Sequence, residues 1–173
     1  RVMVVMTRDD PRNQFASAIS WPDYVDYRDN VPGLSDLAVI LFRPAHLGRP
    51  GQLAHRTWIE FVSPTYFTMA GTRPALGRLF VPGECTATGA DMTVVLSYRY
   101  WRDQLGGDPS VVGSSIMVNG QTCEVVGVAA EKFSGLQWGI SPALWTHVRS
   151  VPALLHWEES FLEDRNWNTL RAV

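Results

Sequence analysis

Apolar and polar positions follow short registers along this chain, and the register changes often. Residues 2–7 (VMVVMT) are a continuous apolar run rich in valine, the pattern of a short buried strand. Residues 8–15 are polar, contain Pro11 and read as a loop. Trp21, Tyr24 and Val25 then fall at i, i+3 and i+4, and the aliphatic stem of Arg28 extends the stripe. That spacing predicts an amphipathic helix ending before Pro32-Gly33. Ser20 is its expected N-cap, and Pro22 sits in the first turn, where its missing N–H does no harm.

Residues 37–42 and 56–62 predict two strands joined by the loop RPAHLGRPGQ. In the second strand Trp58, Glu60 and Val62 alternate with Ile59 and Phe61, so one or both faces are covered. Ser63-Pro64 opens a helix, SPTYFTMAG, with Gly71 as its stop, and RPALGRLF follows as a turn and a short extended piece. Residues 81–91 lose large apolar side chains, which marks a subdomain junction. Residues 92–96 predict a strand, and Ser97 caps the helix YRYWRDQL, which ends at Gly106-Gly107.

Asn119-Gly120 lies between two β-rich runs and is the preferred pair for a type I′ hairpin turn. Val118 then opposes Gln121, and Ile116 opposes Cys123. Side chains alternate, so Ile116, Val118, Cys123 and Val125 share one face. Residues 142–148 predict a strand, 154–163 a helix and 169–173 a final strand, with Leu170 and Ala172 on one face and Arg171 and Val173 on the other. Strands and helices mix without regular βαβ alternation, so the fold class is α+β.

The 173 residues are 46% hydrophobic and 18% charged, enough for a packed core. A net charge of −2 without a long basic run argues against nucleic acid as partner. No apolar run approaches the roughly 18 residues of a membrane helix. The chain begins at Arg1 and reads as a piece of something longer.

Candidate chemistry is sparse. Asp23 and Asp26 could form the acid/base pair of a hydrolase. Helix dipole and capping place the same two carboxylates at a helix start, while amphipathic packing accounts for the aromatics beside them. His46, His55, His147 and His156 are scattered, no Gly-x-Ser-x-Gly elbow accompanies them, and they read as surface or loop residues. GRPGQ and DQLGGDPS read as turns, and no cofactor motif is present. Cys85 and Cys123 lack metal-ligand spacing. Cys123 is either a buried free thiol or, in an oxidising compartment, the partner of Cys85 in a disulfide. Seven tryptophans would suit a secreted carbohydrate- or ligand-binding module if they were exposed, but in a small α+β domain most should be core.

Three stretches, SWPDYVDYRD, VSPTYFTMAGTRPALGRLFVPGE and VVLSYRYWRDQLGGDPSVVGSSIMVNGQTCEVVGVAAEKFSGLQWGISPALWTHV, occur in one order. In that order they resemble the extracytoplasmic core domain of MacB-like ABC transporter permeases, nearest the duplicated orphan permeases of the FtsX-type superfamily. The resemblance implies a porter-like mixed α/β subdomain split in sequence, with a second mixed α/β subdomain inserted. Residues 1–82 would be the first porter half, 83–165 the insertion and 166–173 the return strand, which would fold back beside the strands of residues 37–42 and 56–62 and not onto the hairpin. It further implies a non-catalytic domain on the periplasmic or extracellular face of the membrane, without metal or cofactor. Such a domain would transmit conformational change and contact substrate or a partner during efflux or mechanotransmission. Its partners would be the permease's membrane helices, a separate ATPase and a periplasmic adaptor, with a homodimer also allowed. Cys85, Cys123 and the segment HWEESFLEDRNWNT lie outside the family pattern.

Overall fold

Ser20 is extended just ahead of α1 (Trp21–Asn30), and its hydroxyl accepts from the Asp23 amide at 3.2 Å, so the helix starts where the cap was expected. A computed structural model describes residues 18–32, 37–81, 83–84, 92–137, 139 and 141–173. The strand expected at 2–7, the loop at 8–15 and most of the 81–91 junction lie outside the described residues.

The other helices are α2 (Tyr66–Ala70), α3 (Tyr98–Leu105) and α4 (Val151–Leu155). Gly71 and Gly106 close α2 and α3 in the left-handed conformation, at φ 62° and 69°. The strands are β1 (Ala18–Ile19), β2 (Val39–Gly48), β3 (His55–Val62), β4 (Pro74–Gly77), β5 (Thr93–Leu96), β6 (Ser115–Val118), β7 (Gln121–Ala129), β8 (Leu144–His147) and β9 (Leu170–Ala172). They form one mixed sheet in the order β1-β9-β2-β3-β8-β5-β7-β4. The pairs β3–β8 and β5–β7 are parallel and the others antiparallel. Because β6 pairs with both β7 and β2, the strands β2-β3-β8-β5-β7-β6 close into a ring. Strands from 1–82, 83–165 and 166–173 are interleaved in this sheet, through β4–β7, β3–β8 and β2–β9.

The ring's inner face carries the larger core: Leu41 and Leu47 of β2, Phe61 of β3, Val94 of β5, and Ile116, Val118, Cys123 and Val125 of the hairpin. The rings of α1 (Trp21, Tyr24) and of α3 (Tyr100, Trp101) join that core. On the opposite face Ile40, Val62, Val95 and Trp145 pack against Tyr66 and Phe67 of α2 and against Phe80. The hairpin register matches the sequence reading, with Val118 opposite Gln121 and Ile116 opposite Cys123. Asn119 and Gly120 take φ 48° and 85°, as a type I′ turn requires. β9 pairs with β2 and β1, and not with the hairpin, and Leu170 and Ala172 share a face in the larger core.

Two expectations are corrected. The predicted 43–52 loop is mostly strand: β2 continues to Gly48 and pairs with β3 as far as Leu47↔His55. Pro44 is tolerated for a geometric reason. Ala38 exchanges bonds with Val173 of the β9 segment (3.0 and 2.9 Å), while the Val39 carbonyl accepts from Ser63 at the end of β3. Even-numbered backbone groups therefore point away from β3. Pro44 aims its missing N–H between β9 and β6, where no strand pairs among the described residues. The helix expected at 154–163 is broken. α4 ends at His156, which turns left-handed (φ 55°), and a 3-10 turn follows at Glu159–Leu162. The break lets Trp157 and Phe161 pack on Trp167, with ring centroids 5.3–5.8 Å apart.

Candidate functional site

The start of α1, the turn between β3 and α2, and the end of β8 meet around a cavity of about 420 Å³. α1 contributes its buried stripe: the Trp21 and Tyr24 rings lie 5.0 Å apart, tilted by 40°. A chain of hydroxyls holds this stripe in place. The Tyr24 hydroxyl meets Thr65 Oγ1 at 3.3 Å, and Thr65 Oγ1 donates to the Leu37 carbonyl at 2.8 Å. Ser63 Oγ, 3.1 Å from Thr65 Oγ1, accepts from the Val39 amide.

β8 contributes His147, the last residue of a strand buried along its whole length. Its side chain is 1% exposed, and neither ring nitrogen has a hydrogen-bond partner among the described residues. The imidazole lies on Phe80 at 3.9 Å between centroids, and Nε2 is 3.9 Å from the Glu84 carboxylate, beyond hydrogen-bond reach. Burial, helped by the charge of Arg78, holds the His147 pKa down to about 4. Two guanidiniums sit over aromatic faces at the rim. Arg28 is 5.5 Å from the Tyr24 centroid and Arg149 is 5.4 Å from that of Trp21. Arg28 is paired with Asp29 at 2.6 and 2.8 Å, and Glu84 is paired with Arg78.

Glu60 is a second buried polar group, and unlike His147 it is bonded inside the fold. Its Oε2 accepts from Tyr66 Oη at 2.8 Å and Trp145 Nε1 at 2.7 Å, and Tyr66 Oη in turn accepts from the Leu136 amide at 3.0 Å. Burial raises the carboxyl pKa above its usual range, against the pull of these two donors. This network ties β3, β8 and α2 together.

Asp23 and Asp26 do not face the cavity as an acid/base pair. Both are held by Arg165, at 2.5 Å each, and Ser20 Oγ donates to Asp23 at 2.7 Å. His46, His55 and His156 are exposed. His147 is not, which corrects the surface-or-loop reading. The strand expected at 142–148 already contained it, and a strand covered on both faces buries its polar residues too. Cys123 is a buried thiol, its pKa pushed up to about 12 by burial; Cys85 lies outside the described residues. Among the described residues no cluster of three or more His, Cys, Asp or Glu could hold a metal. Among the described tryptophans Trp21, Trp101 and Trp145 are buried and only Trp58, at 45%, is exposed, so no row of indoles forms a sugar platform.

This fold recurs in extracytoplasmic permease domains. The periplasmic region of MacB from Actinobacillus actinomycetemcomitans matches with a TM-score of 0.68 at 14% identity, over 90% of this chain and 68% of that one. The extracellular domain of the noncanonic ABC-type transporter YknZ from Gram-positive bacteria gives 0.65 at 14% identity, over 88% and 74%. A permease protein domain from Porphyromonas gingivalis gives 0.64 at 15% identity; the match takes in 90% of this chain but only 62% of that structure's length. Comparison with curated proteins finds no match. The model of the MacB-like periplasmic core domain matches residues 1–170, and the chain belongs to that family. Among the described residues no helix is long and apolar enough to cross a membrane.

Proposed function

We propose that this chain works as the non-catalytic extracytoplasmic domain of an ABC transporter permease. In this reading it passes conformational change between the permease's membrane helices and a substrate or periplasmic partner, while a separate ATPase hydrolyses ATP. The observation that carries the reading is the family match over residues 1–170. The pairing pattern supports the mechanical part. β1 and β9 are hydrogen-bonded neighbours, and β9 is bonded in turn to β2 of the closed ring. A pull on either outer strand would reach the ring through backbone hydrogen bonds and would not be absorbed by a loop. The division into a porter part (1–82 and 166–173) and an insertion (83–165) belongs to this proposal.

The test uses the native protein in its host. It should fractionate with the membrane, be cleaved within this domain by protease added to spheroplasts or protoplasts, and co-purify with an ATPase. A soluble cytoplasmic protein, or a domain shielded from protease in spheroplasts or protoplasts whose inner membrane is intact, would overturn the reading. Turnover of esters or glycosides by the purified chain would overturn its non-catalytic part.

A further inference from the structure

We infer that the cavity between α1, the β3–α2 turn and the end of β8 binds a small organic anion with a flat apolar body. Its volume, about 420 Å³, falls within the range of roughly 300–1,000 Å³ typical of small-molecule sites. Trp21, Tyr24 and Pro64 give it apolar walls, which suit an aromatic or branched hydrocarbon body.

Two polar features select the rest of the ligand. The first is His147, 1% exposed, lining the cavity with both ring nitrogens unpartnered among the described residues. Among the described residues the other buried polar side-chain atom without a partner is Thr169 Oγ1, which does not line this cavity, whereas Glu60 takes two donors and the Ser63 and Thr65 hydroxyls are bonded to backbone. A buried imidazole without a partner is uncommon in a folded chain. Beside a cavity, it marks where a ligand's polar group completes the bonding. A neutral imidazole donates from one nitrogen and accepts at the other. The second feature is charge. Arg28 is neutralised by Asp29, and Glu84 by Arg78. Arg149 forms no ion pair among the described residues, and its guanidinium lies over the Trp21 ring. Among the described residues the uncompensated charge at the rim is therefore positive and planar, which suits a carboxylate or sulfonate. The site does not depend on the permease reading, since a binding module would use it equally well.

The probe is naphthalene-1-sulfonate, titrated calorimetrically into the full chain. Naphthalene-1-methanol and 1-naphthylmethylammonium serve as neutral and cationic isosteres. The sulfonate should bind at a single site at least about tenfold more tightly than either isostere, a discrimination of roughly 1.4 kcal/mol. Arg149→Gln should abolish that preference, while Arg56→Gln, at the exposed start of β3, should leave it intact. In the unmodified chain the probe should shift the ¹⁵N imidazole signals of His147 and spare those of His46, His55 and His156. This keeps the test decisive even if Arg149→Gln fails to fold. Equal binding of all three probes, undiminished sulfonate binding by folded Arg149→Gln, unshifted His147 signals, or no binding at millimolar probe would each overturn the assignment.

Discussion

Tyr24 and Asp23 are adjacent in α1 and meet opposite surroundings. The Tyr24 ring is fully buried between Trp21 and the Thr65 hydroxyl, whereas Asp23 lies at the helix start within reach of Ser20 and Arg165. Tyr24→Ala should therefore cost about 3 kcal/mol by opening a cavity. Asp23→Ala should cost about 1 kcal/mol or less, because its ion pair is largely solvated and its capping role is shared with Ser20. Urea denaturation of the two variants checks the order, and a larger loss from the aspartate would mean that the acidic face of α1 does more than support the helix. His147 sets an acid limit. Its pKa falls from 6.5 to about 4 on folding, so between those values the unfolded chain binds more protons. Stability should fall as pH drops from 6.5 toward 4, by about 3 kcal/mol in total. His147→Leu should remove that acid limb. Glu60 titrates with the opposite sign: its raised pKa takes stability away as pH rises above 4.5, so the difference between the two chains isolates the histidine. The measurement is the urea midpoint at half-unit steps of pH, and parallel profiles for both chains would refute the assignment.

At the scale of elements, β9 shows how little sequence a strand needs when its partners wait for it. Three residues pair with β1 on one side and β2 on the other, and Leu170 and Ala172 are fully buried. Alone, so short a strand would not form. In register Ala172 lies opposite Val39 and Arg171 opposite Ile40 of β2, whose even-numbered backbone groups face β9, and the following Val173 exchanges bonds with Ala38. Deleting residues 166–173 should therefore raise amide exchange at Ala38 and Ile40 first, with β3 affected only through β2. The β6–β7 hairpin should keep its protection. Hydrogen exchange read residue by residue decides this, and protection lost chiefly in the hairpin would contradict the pairing.

For the molecule as a whole, closure of the strand ring rests on few contacts. β2 and β6 share two residue pairs, Leu47↔Val118 and Gly48↔Met117. Asn119 reinforces the joint: its amide donates to the His46 carbonyl at 2.9 Å, its Oδ1 accepts from the His46 amide at 2.8 Å, and its Nδ2 donates to the Leu154 carbonyl at 2.8 Å. Asn119→Gly keeps the left-handed turn but removes both side-chain bonds, and should cost about 1–2 kcal/mol. Asn119→Ala adds backbone strain and should cost more. Thermal melts compare the two, and equal melting points for all three chains would deny Asn119 that role. Interleaving also bears on cooperativity. Strands from both proposed subdomains pair directly in β3–β8 and β4–β7, and at the latter crossing a Cβ on Gly127 would lie 2.0 Å from the Arg78 carbonyl oxygen. Neither part can leave the sheet without exposing the other, so urea transitions followed by tryptophan fluorescence and by far-UV circular dichroism should coincide. Separate midpoints would instead favour two independently stable units divided near 82/83 and 165/166.

By itself the sequence determined what depends on neighbours a few residues away. Ser20 and Ser97 mark helix starts because a cap needs only its own hydroxyl and an amide three positions on. Gly71, Gly106 and Asn119-Gly120 mark stops and a turn because each must take a positive φ. The hairpin's shared apolar face followed from the two-residue period of a strand. The family order of motifs was legible for the same reason, as a run of local patterns. Only the tertiary structure decided the rest. Pro44 could stand inside β2 because β9 and β6 leave a gap beside it, and no local pattern announces a gap. The helix expected at 154–163 broke at His156, so that aromatic side chains from beyond the break could meet. His147 became buried because β8 was inserted between β3 and β5, strands distant from it in sequence. The cavity it lines exists only where three such distant elements end together, and packing across that distance is a property of the folded chain that no short window contains.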